Sequence, residues 1–230
     1  MTITYYKVGG CVRDSFLGVK SKDIDYAVEA PSFAAMRDWV VAQGGQIFLE
    51  KPEYLTIRAN INKEAADYVL CRKDGDYTDG RRPDSVEMGT IDDDLARRDF
   101  TMNAIAYKMD AGTADPFYDP HNGVVDIERK VIRCVGDAFE RLSEDPLRIL
   151  RAIRFSITKD FIIHPDTRAA MTVLQDQVVE TVSMERIREE LNKCFMFDTP
   201  ATLDALLVFK DMRDSIFSKG LWLSPTTKQV

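Results

Sequence analysis

Two aspartates separated by one residue are placed to hold a metal ion. Asp23 and Asp25 lie at the start of an apolar run rich in β-formers. The period of a strand puts both carboxylates on one face and directs Ile24 toward the core. Mg²⁺ prefers one or two carboxylates together with substrate phosphates and waters. The tripeptide therefore suits a metal ion that bridges protein and triphosphate, although Asp-x-Asp is also typical of a solvated strand edge or turn.

Residues upstream of the aspartates are candidates for phosphate binding. Gly9 and Gly10 separate a predicted strand from a predicted helix, so backbone N–H groups could approach an anion near the helix start. Arg13, one turn into that helix, could donate two parallel hydrogen bonds to a phosphate. Gly-Gly alone would be only a tight turn. The glycine pair, Arg13 and the two aspartates together predict a phosphate and metal site at one end of one sheet.

A third carboxylate, Asp67, lies in the predicted strand Ala65–Cys71. It could complete the metal shell or accept the proton of an attacking hydroxyl. An ordinary exposed strand position is an equal alternative. Asp67 is therefore a third candidate catalytic residue, beside Asp23 and Asp25.

Strands alternate with helices in the first part of the chain, as the hydrophobic pattern and the turn residues predict. The predicted strands are Tyr5–Val8, Ile24–Val28, Gln46–Leu49, Tyr54–Ala59 and Ala65–Cys71, and the predicted helices are Cys11–Leu17 and a helix that Ser32 caps and Gly44-Gly45 ends. The segment Lys73–Gly89 is rich in Asp, Gly, Arg and Pro and is predicted to be a mobile loop.

The pattern becomes helical from Asp92 onward, with one short β-like piece at Lys130–Val135. We expect breaks near Ile162–Pro165, Asp198–Pro200 and Gly220 and a polar tail at Ser224–Val230. The fold class predicted from this order is α+β. A first domain, residues 1–120, would combine a mixed sheet with helices, and a second, residues 121–230, would be helical, with the junction around 115–140.

Composition excludes several classes of protein. The 230 residues are 45% hydrophobic, and neither a run of about 18 apolar residues nor a signal-peptide pattern occurs. We therefore expect a cytoplasmic protein with no membrane partner. The four scattered cysteines lack the close pairs of zinc or redox sites and are expected to be buried free thiols.

The net charge of −7 argues against binding nucleic acid through a global basic field. Any RNA contact must be local. Arginine clusters that could supply it are Arg81-Arg82, Arg97-Arg98 and Arg148/Arg151/Arg154. A solvated surface is the alternative for each cluster, and for Arg81-Arg82 alone it is the favoured one.

Three stretches, in order, resemble the signature motifs of class II tRNA nucleotidyltransferases (CCA-adding enzymes) and bacterial poly(A) polymerases. They are GGCVRDSFLGVKSKDIDYAV, RRDFTMNAIA and EDPLRILRAIRF, and DPHNGVVDIERKVIRCVGDAFERL and MERIREEL resemble the hinge and neck elements of that family. The resemblance runs from about Tyr6 to Leu191. It implies a polymerase-β-like head that binds the triphosphate and Mg²⁺, followed by an all-α neck that selects the base.

The first two motifs imply roles for particular residues. The resemblance assigns triphosphate contacts to Gly9, Gly10 and Arg13 and metal binding to Asp23 and Asp25. It assigns ribose binding to a second set, which is Arg97, Arg98, Asp99 and Asn103. Considered without the resemblance, Arg97-Arg98-Asp99 could equally be an ion-paired helix end.

The third motif places polar side chains along one predicted helix. Asp145, Arg148, Arg151 and Arg154 recur every three residues, while Leu147, Leu150 and Ile153 lie on another face. A carboxylate accepts and a guanidinium donates, so Asp145 with Arg148 could face the Watson–Crick edge of one base. The resemblance implies a protein template for C and A. The alternative is that Pro146 begins the helix and Asp145 caps it.

The expected function is addition of CMP and AMP, from CTP and ATP, to an RNA 3′ end, with CCA addition to tRNA or its repair as the first choice. Poly(A)-like tailing of RNA is one alternative, and a catalytically inactive nucleotide- or RNA-binding protein is another. Members of the family continue into body and tail domains that grip the tRNA. This sequence ends soon after MERIREEL, which leaves three alternatives for RNA binding: a minimal form, a homo-oligomer or partner chain that replaces the missing grip, or a different acceptor RNA.

Overall fold

The computed structural model describes residues 3–21, 23–75, 85–109, 116–221 and 223. These residues form two compact units. Of the described residues, the first unit contains 3–75 and 85–128 except 22 and 110–115, and the second contains 129–221 and 223. The division by contacts therefore falls between Glu128 and Arg129, and a functional division between residues 120 and 121 stays a prediction.

The first unit alternates strands and helices along most of its length. Its strands are β1 (Thr4–Val8), β2 (Asp25–Glu29), β3 (Gln46–Lys51), β4 (Thr56–Ile61), β5 (Glu64–Leu70), β6 (Arg72–Asp74), β7 (Val86–Met88), β8 (Ala106–Lys108) and β9 (Phe117–Tyr118). Its helices are α1 (Gly10–Phe16), α2 (Phe33–Ala42), α3 (Ile91–Ala96) and α4 (Gly123–Glu128), with single 3-10 turns at Pro52–Tyr54 and Thr101–Asn103.

A seven-stranded sheet in the order β3-β4-β5-β2-β1-β8-β9 organises this unit. Strands β2 and β5 are parallel, and the other neighbouring pairs are antiparallel. The predicted mixed sheet with helices is thus confirmed. The register places Asp25 of β2 opposite Val8 of β1 on one side and opposite Asp67 of β5 on the other.

Helix α2 covers one face of the sheet. Ser32 caps the helix by accepting a hydrogen bond from the backbone N–H of Ala35 at 3.0 Å, as predicted. Met36 and Val40, one turn apart, are fully buried against strand residues that include Ile57. Because side chains alternate along a strand, Tyr26 packs beneath α2 and its neighbour Asp25 faces the other side.

Two expectations for the first unit need correction. Strands β8 and β9 occupy a stretch after Asp92 that was predicted to be helical. Three-residue and two-residue strands carry no readable period, and these two form because β8 pairs with β1. Within the predicted loop Lys73–Gly89, β6 and β7 form an antiparallel ribbon. Residues 76–84, with Arg81 and Arg82, lie outside the described residues.

The second unit is helical apart from one two-residue parallel pair. Its elements are β10 (Val131–Ile132), α5 (Ala138–Glu144), α6 (Leu147–Lys159), β11 (Ile162–Ile163), α7 (Pro165–Leu174), α8 (Gln177–Thr181), α9 (Met184–Phe197), α10 (Thr199–Val208) and α11 (Lys210–Ser218). The predicted breaks near 162–165, 198–200 and 220 are confirmed. The predicted polar tail lies outside the described part of the chain.

Helices α6 and α9 pack against each other through apolar side chains, and Ile149, Ile153, Ile187 and Leu191 are almost completely buried. All four cysteines are free thiols, and all but the half-buried Cys11 are buried. Among the helices that the structure describes, none is long and apolar enough to cross a membrane.

Candidate active site

Three carboxylates lie near one another at the end of the sheet where β2 begins. Asp25 lies opposite Asp67 in the parallel register, and Asp23 precedes it by two residues. Burial raises the pKa of Asp25, and the neighbouring charges of Asp67 and Asp23 raise it further, while Arg98 acts in the opposite direction. Arg58 of β4 is a looser neighbour, with its Nε 3.7 Å from Asp67 Oδ1. The arrangement is a concentration of like charge.

The donor set suits a hard divalent cation. Among the described residues, no group of three or more His, Cys, Asp or Glu side chains is placed to hold a metal ion. A cage of that kind is not required, because Mg²⁺-type ions bind through one or two carboxylates and take the remaining ligands from water and phosphate. A cation between Asp23 and Asp25 would also offset the repulsion that raises the pKa of Asp25.

A residue larger than glycine could occupy position 9 only if neighbouring atoms moved. The φ of Gly9, 74°, lies in the left-handed region, and a Cβ there would lie 2.9 Å from Arg98 Nη1 and 3.7 Å from Asp25 Oδ2. Gly10 is less constrained, since a Cβ there would be 3.5 Å from Arg13 Nη2. The Gly9 backbone is therefore adjacent to both the acidic group and a guanidinium, as a phosphate cradle beside a metal site requires.

Arg13 joins two distant parts of the sequence. It is 6% exposed, and its Nη1 donates to Asn103 Oδ1 at 2.6 Å while its Nε and Nη2 donate to Asp14 Oδ1. The Asn103 amide in turn donates to Asp99 Oδ1 at 2.9 Å. The predicted residues Arg13, Asn103 and Asp99 are thus brought together, and a direct contact of Arg13 with phosphate stays a prediction. Sequence reasoning missed Asp14, whose signal was its position next to Arg13.

Asp94 holds the other arginines of the second motif. It is 1% exposed, and its two oxygens accept hydrogen bonds from Arg97 and Arg98, the latter at 2.7 Å from Nη2. Burial by itself raises the pKa of Asp94, but the charges of Arg98 and Arg97 prevail and lower it to about 2. The alternative of an ion-paired helix end is confirmed for Arg97 and Arg98, which follow the end of α3 at Ala96 and pair with Asp94. Asp94 was missed, although its spacing from both arginines was a signal.

In the second unit, Asp145 lies two residues before α6. Its Oδ1 accepts a hydrogen bond from the Leu147 backbone N–H at 3.2 Å. The alternative in which Pro146 begins the helix and Asp145 caps it is wrong in position, because α6 begins at Leu147 and its N-cap residue is Pro146. Arg186 of α9 donates to Asp145 Oδ2 at 2.9 Å. Arg186 was missed as a functional candidate, although it lies within MERIREEL.

The arginines of α6 also have protein partners. Arg148 Nη1 donates to Glu144 Oε2 at 2.7 Å, and Arg154 Nε donates to Glu190 Oε2 at 2.6 Å. The guanidinium carbons of Arg154 and Arg151 lie 4.1 and 5.6 Å from the ring centroid of Phe155. Ion pairs and cation–π contacts therefore orient this predicted base-reading face. Base selection by Asp145, Arg148, Arg151 and Arg154 stays a prediction.

Two protein families match the chain. The family described as "Poly A polymerase head domain" matches residues 5–133. The family described as "Probable RNA and SrmB- binding site of polymerase A" matches residues 160–215. The first match covers more than half of the chain and includes all the described groups of the acidic site.

Individual relatives agree with these matches. The CCA-adding enzyme of Oceanobacillus iheyensis is 40% identical over 193 residues, which cover 83% of this chain and 45% of that protein. The crystal structure of the Bacillus stearothermophilus CCA-adding enzyme in complex with CTP superposes with a TM-score of 0.74 at 31% identity, over 92% of this chain and 48% of that one. The Thermotoga maritima CCA-adding enzyme complexed with tRNA_CCA gives a TM-score of 0.76 at 26% identity, over 97% and 50%.

The chain spans about half the length of the curated relatives it matches. Within that half, the mixed sheet and the helices that follow it match the head and neck of the CCA-adding enzymes. Nucleotidyltransferases of this family generally use a divalent metal ion. The motifs, the fold and the matched residues lead to one conclusion: the chain belongs to the poly A polymerase head-domain family, which it shares with the CCA-adding enzymes.

Proposed function

We propose that the chain is a template-independent RNA nucleotidyltransferase that adds CMP and AMP, from CTP and ATP, to the 3′ end of tRNA. The observation that carries the proposal is the register that sets Asp25 opposite Asp67, with the Gly9 backbone and Arg98 alongside. The relatives support the substrates, because one solved structure contains CTP and another contains tRNA. A cytoplasmic location and an oligomeric or partner-assisted form remain predictions.

In this reaction the RNA 3′ oxygen attacks the α-phosphorus of the incoming nucleotide, the bond to the β-phosphate breaks, and pyrophosphate leaves. Mg²⁺ is the metal we propose for Asp23 and Asp25, where it would stabilise the developing negative charge and activate the attacking hydroxyl. Asp67 lies next to Asp25, and we assign it either the hydroxyl proton or a further metal contact.

The remaining groups position the nucleotide. We assign the triphosphate to the Gly9-Gly10 backbone and to Arg13, with Arg98 supplying a second positive charge beside Gly9. The ribose is assigned to the segment that Asp94 and Asp99 order, which contains Arg97, Arg98 and Asn103. The base is assigned to Asp145, which precedes α6, and to Arg148 of α6. Holding the reactants in line is the main contribution that a protein makes to phosphoryl transfer.

A labelling assay tests the proposal. The purified chain would be given Mg²⁺ and tRNA that lacks its CCA end, with CTP and ATP offered separately and together. Ordered addition of C, C and A is the expected result. Runs of A from ATP alone would instead establish poly(A)-like tailing, and no incorporation at any metal concentration would support a binding protein without catalysis.

Metal removal and two substitutions complete the test. Chelation of divalent ions should abolish incorporation, and added Mg²⁺ should restore it. Asp23→Ala and Asp25→Ala should be inactive while their far-ultraviolet circular dichroism stays that of the unsubstituted chain. Near-normal incorporation by either purified variant would contradict the assigned metal site.

A further inference from the structure

The sheet face opposite the carboxylates carries a cavity, which lies entirely within the first unit. Its volume is about 290 Å³. Its lining includes Tyr5, Lys7, Tyr26, Trp39, Glu64 and Tyr68, together with the exposed residues Gln43 and Asn62 at the rim. We call this cavity the aromatic groove. A larger cavity of about 650 Å³ adjoins it and shares Lys7 and Met109 with its lining.

Strand register explains why four aromatic rings meet here. Lys7 of β1 pairs with Tyr26 of β2, which pairs with Tyr68 of β5, so the three side chains share one face of the sheet. The Tyr26 and Tyr68 rings are stacked with centroids 5.0 Å apart and are buried. Tyr5 and Trp39 are only partly buried, with centroids 4.8 Å apart. The buried pair forms a floor, and the other pair offers partly open ring surface.

The groove already contains its own cation. Lys7 Nζ lies 5.7 Å from the centroid of the Tyr26 ring and 3.8 Å from Glu64 Oε2. Glu64 also accepts a hydrogen bond from the Tyr26 hydroxyl at 2.6 Å. A set of aromatic rings with a carboxylate would otherwise suit a quaternary ammonium ligand. Here Lys7 fills that role, so its charge disfavours a second cation. Glu64 offsets part of that charge, and the partly exposed ammonium of Lys7 keeps N–H donors that can bind a phosphate.

We propose that the aromatic groove binds a nucleobase together with its phosphate, at a site separate from the acidic one. Tyr5 and Trp39 supply ring surface for stacking, which is sequence-tolerant because every base has a π-face. Gln43, Asn62 and Glu64 offer donors and acceptors at the rim. Lys7, with the exposed Lys20 of the adjoining cavity, offers positive charge to the phosphate.

The size and position of the groove set limits on the ligand. A volume of about 290 Å³ is at the low end for ligand pockets, so the groove suits a single base and not an extended ligand. Successive side chains at the start of β2 point to opposite faces of the sheet, and this separates the two sites. Ile24 contacts the aromatic face, and the adjacent Asp25 faces the side of the carboxylates. Binding here therefore requires neither the carboxylates nor a metal ion.

Tryptophan fluorescence gives a direct readout. The chain has two tryptophans, Trp39 and Trp222, so Trp222→Phe makes Trp39 the single reporter. This variant, in the presence of a chelator, would be titrated with AMP and, in a second arm, with a short single-stranded oligoadenylate. We expect saturable quenching. A tighter response to the oligonucleotide would identify an RNA segment as the ligand, and an equal response per site would identify a free nucleotide.

Substitutions separate this site from the acidic one. Lys7→Met should weaken binding about fivefold, and Tyr5→Leu about tenfold, because a partly exposed charge contributes less than a stacked base. Lys51→Met is the matched control, since Lys51 also lies over a tyrosine ring, 6.0 Å from the centroid of Tyr54, outside the groove. Asp25→Asn, which should abolish catalysis, should leave the quenching unchanged.

Three outcomes would overturn the proposal. The first is an absence of saturable quenching by both ligands. The second is quenching that Asp25→Asn removes and Lys7→Met does not, which would place the nucleotide at the acidic site. The third is quenching by tetramethylammonium that exceeds quenching by AMP, which would make the groove a cation site. None of these results bears on whether the chain incorporates nucleotides.

Discussion

The motif residues of the two units differ in how their charges are compensated. In the first unit, Asp25 lies beside Asp67 and its pKa is raised. In the second, Asp145 pairs with Arg186, and the pKa of Glu190 is lowered because Arg154 and Lys193 outweigh the effect of burial. Like charges held together cost folding free energy, whereas paired charges also serve the fold. The first unit therefore provides the more specific indication of chemistry.

The largest effect should follow from breaking the like-charge cluster. Asp25→Asn keeps the shape of the side chain but removes the proposed metal ligand, so incorporation should fall by at least about 10³-fold. The thermal midpoint should not fall, because one of the mutually repelling charges has been removed. Single-turnover incorporation and thermal melts measure the two effects.

Asp38→Asn is the control for this substitution, because Asp38 is exposed on α2 and lies on the covered side of the sheet. It should change neither quantity. If Asp25→Asn unfolds the chain, or if both variants retain activity, the distinction between Asp25 and an ordinary surface aspartate is lost.

Gly9→Ala tests the backbone next to the cluster. The new Cβ would lie 2.9 Å from Arg98 Nη1, and a displacement of this size near the reacting groups can lower the rate about 10²-fold. Gly18→Ala is a matched control, because Gly18 also has a positive φ, of 68°, yet nothing lies within 4 Å of its Cβ. Gly18→Ala should lose about 1 kcal/mol of stability, and Gly9→Ala at least as much, because ψ at Gly9 is −137°. Equal loss of activity in both would show that backbone strain, and not contact with Arg98, causes the effect.

Asp94 allows compensated and uncompensated carboxylates to be compared within the first unit, because Arg97 and Arg98 compensate the charge of Asp94. Its pKa of about 2 lies below the ordinary 3.8. The ionised carboxylate therefore stabilises the folded chain fully above about pH 4, and this contribution is lost as the pH falls through about 2. The size of that stabilisation is about 2 kcal/mol. Denaturant unfolding between pH 2 and 7 should show this acid-dependent loss in the unsubstituted chain. In Asp94→Asn the stability at neutral pH should be lower and the acid-dependent part correspondingly smaller.

Local pattern was enough to predict much of the first unit. The strand Tyr5–Val8, the cap at Ser32 and the position of Asp23 and Asp25 depend on residues close together in the sequence. The short strands β8 and β9 were missed because β8 forms by pairing with β1 and β9 by pairing with β8, and no local period reveals them.

The composition of the site was harder to predict because it depends on nonlocal pairing. Asp67 was a candidate, but its position beside Asp25 follows from the parallel pairing of β2 with β5, and sequence order does not determine which strands become neighbours. Arg13 was expected at a phosphate, and its partner Asn103 lies 90 residues away. Arg186 and Glu190 were missed for the same reason, since their partners Asp145 and Arg154 lie 41 and 36 residues away in the sequence.

The smallest predicted effect concerns base selection in the second unit. Arg186 holds Asp145 through Nη2 at 2.9 Å, with Nη1 at 3.4 Å from the other oxygen. Arg186→Lys keeps the charge but loses the planar fork that fixes the carboxylate. If Asp145 contacts the base, the ratio of CTP to ATP incorporation should shift about tenfold, since a misplaced hydrogen bond costs about 1 to 2 kcal/mol. Initial rates with each nucleotide measure the ratio.

Arg188→Lys is the matched control for this last substitution, because Arg188 is exposed on the same helix and should leave the ratio unchanged. A uniform loss of both activities in Arg186→Lys, with a lower thermal midpoint, would mean that the pair with Asp145 is structural. In that case the compensated charges of the second unit support the fold alone. A change in the ratio without loss of stability would show that a paired carboxylate can also select a base. Paired and unpaired carboxylates could then both mark functional residues, and the two units would differ only in how clearly the charges indicate them.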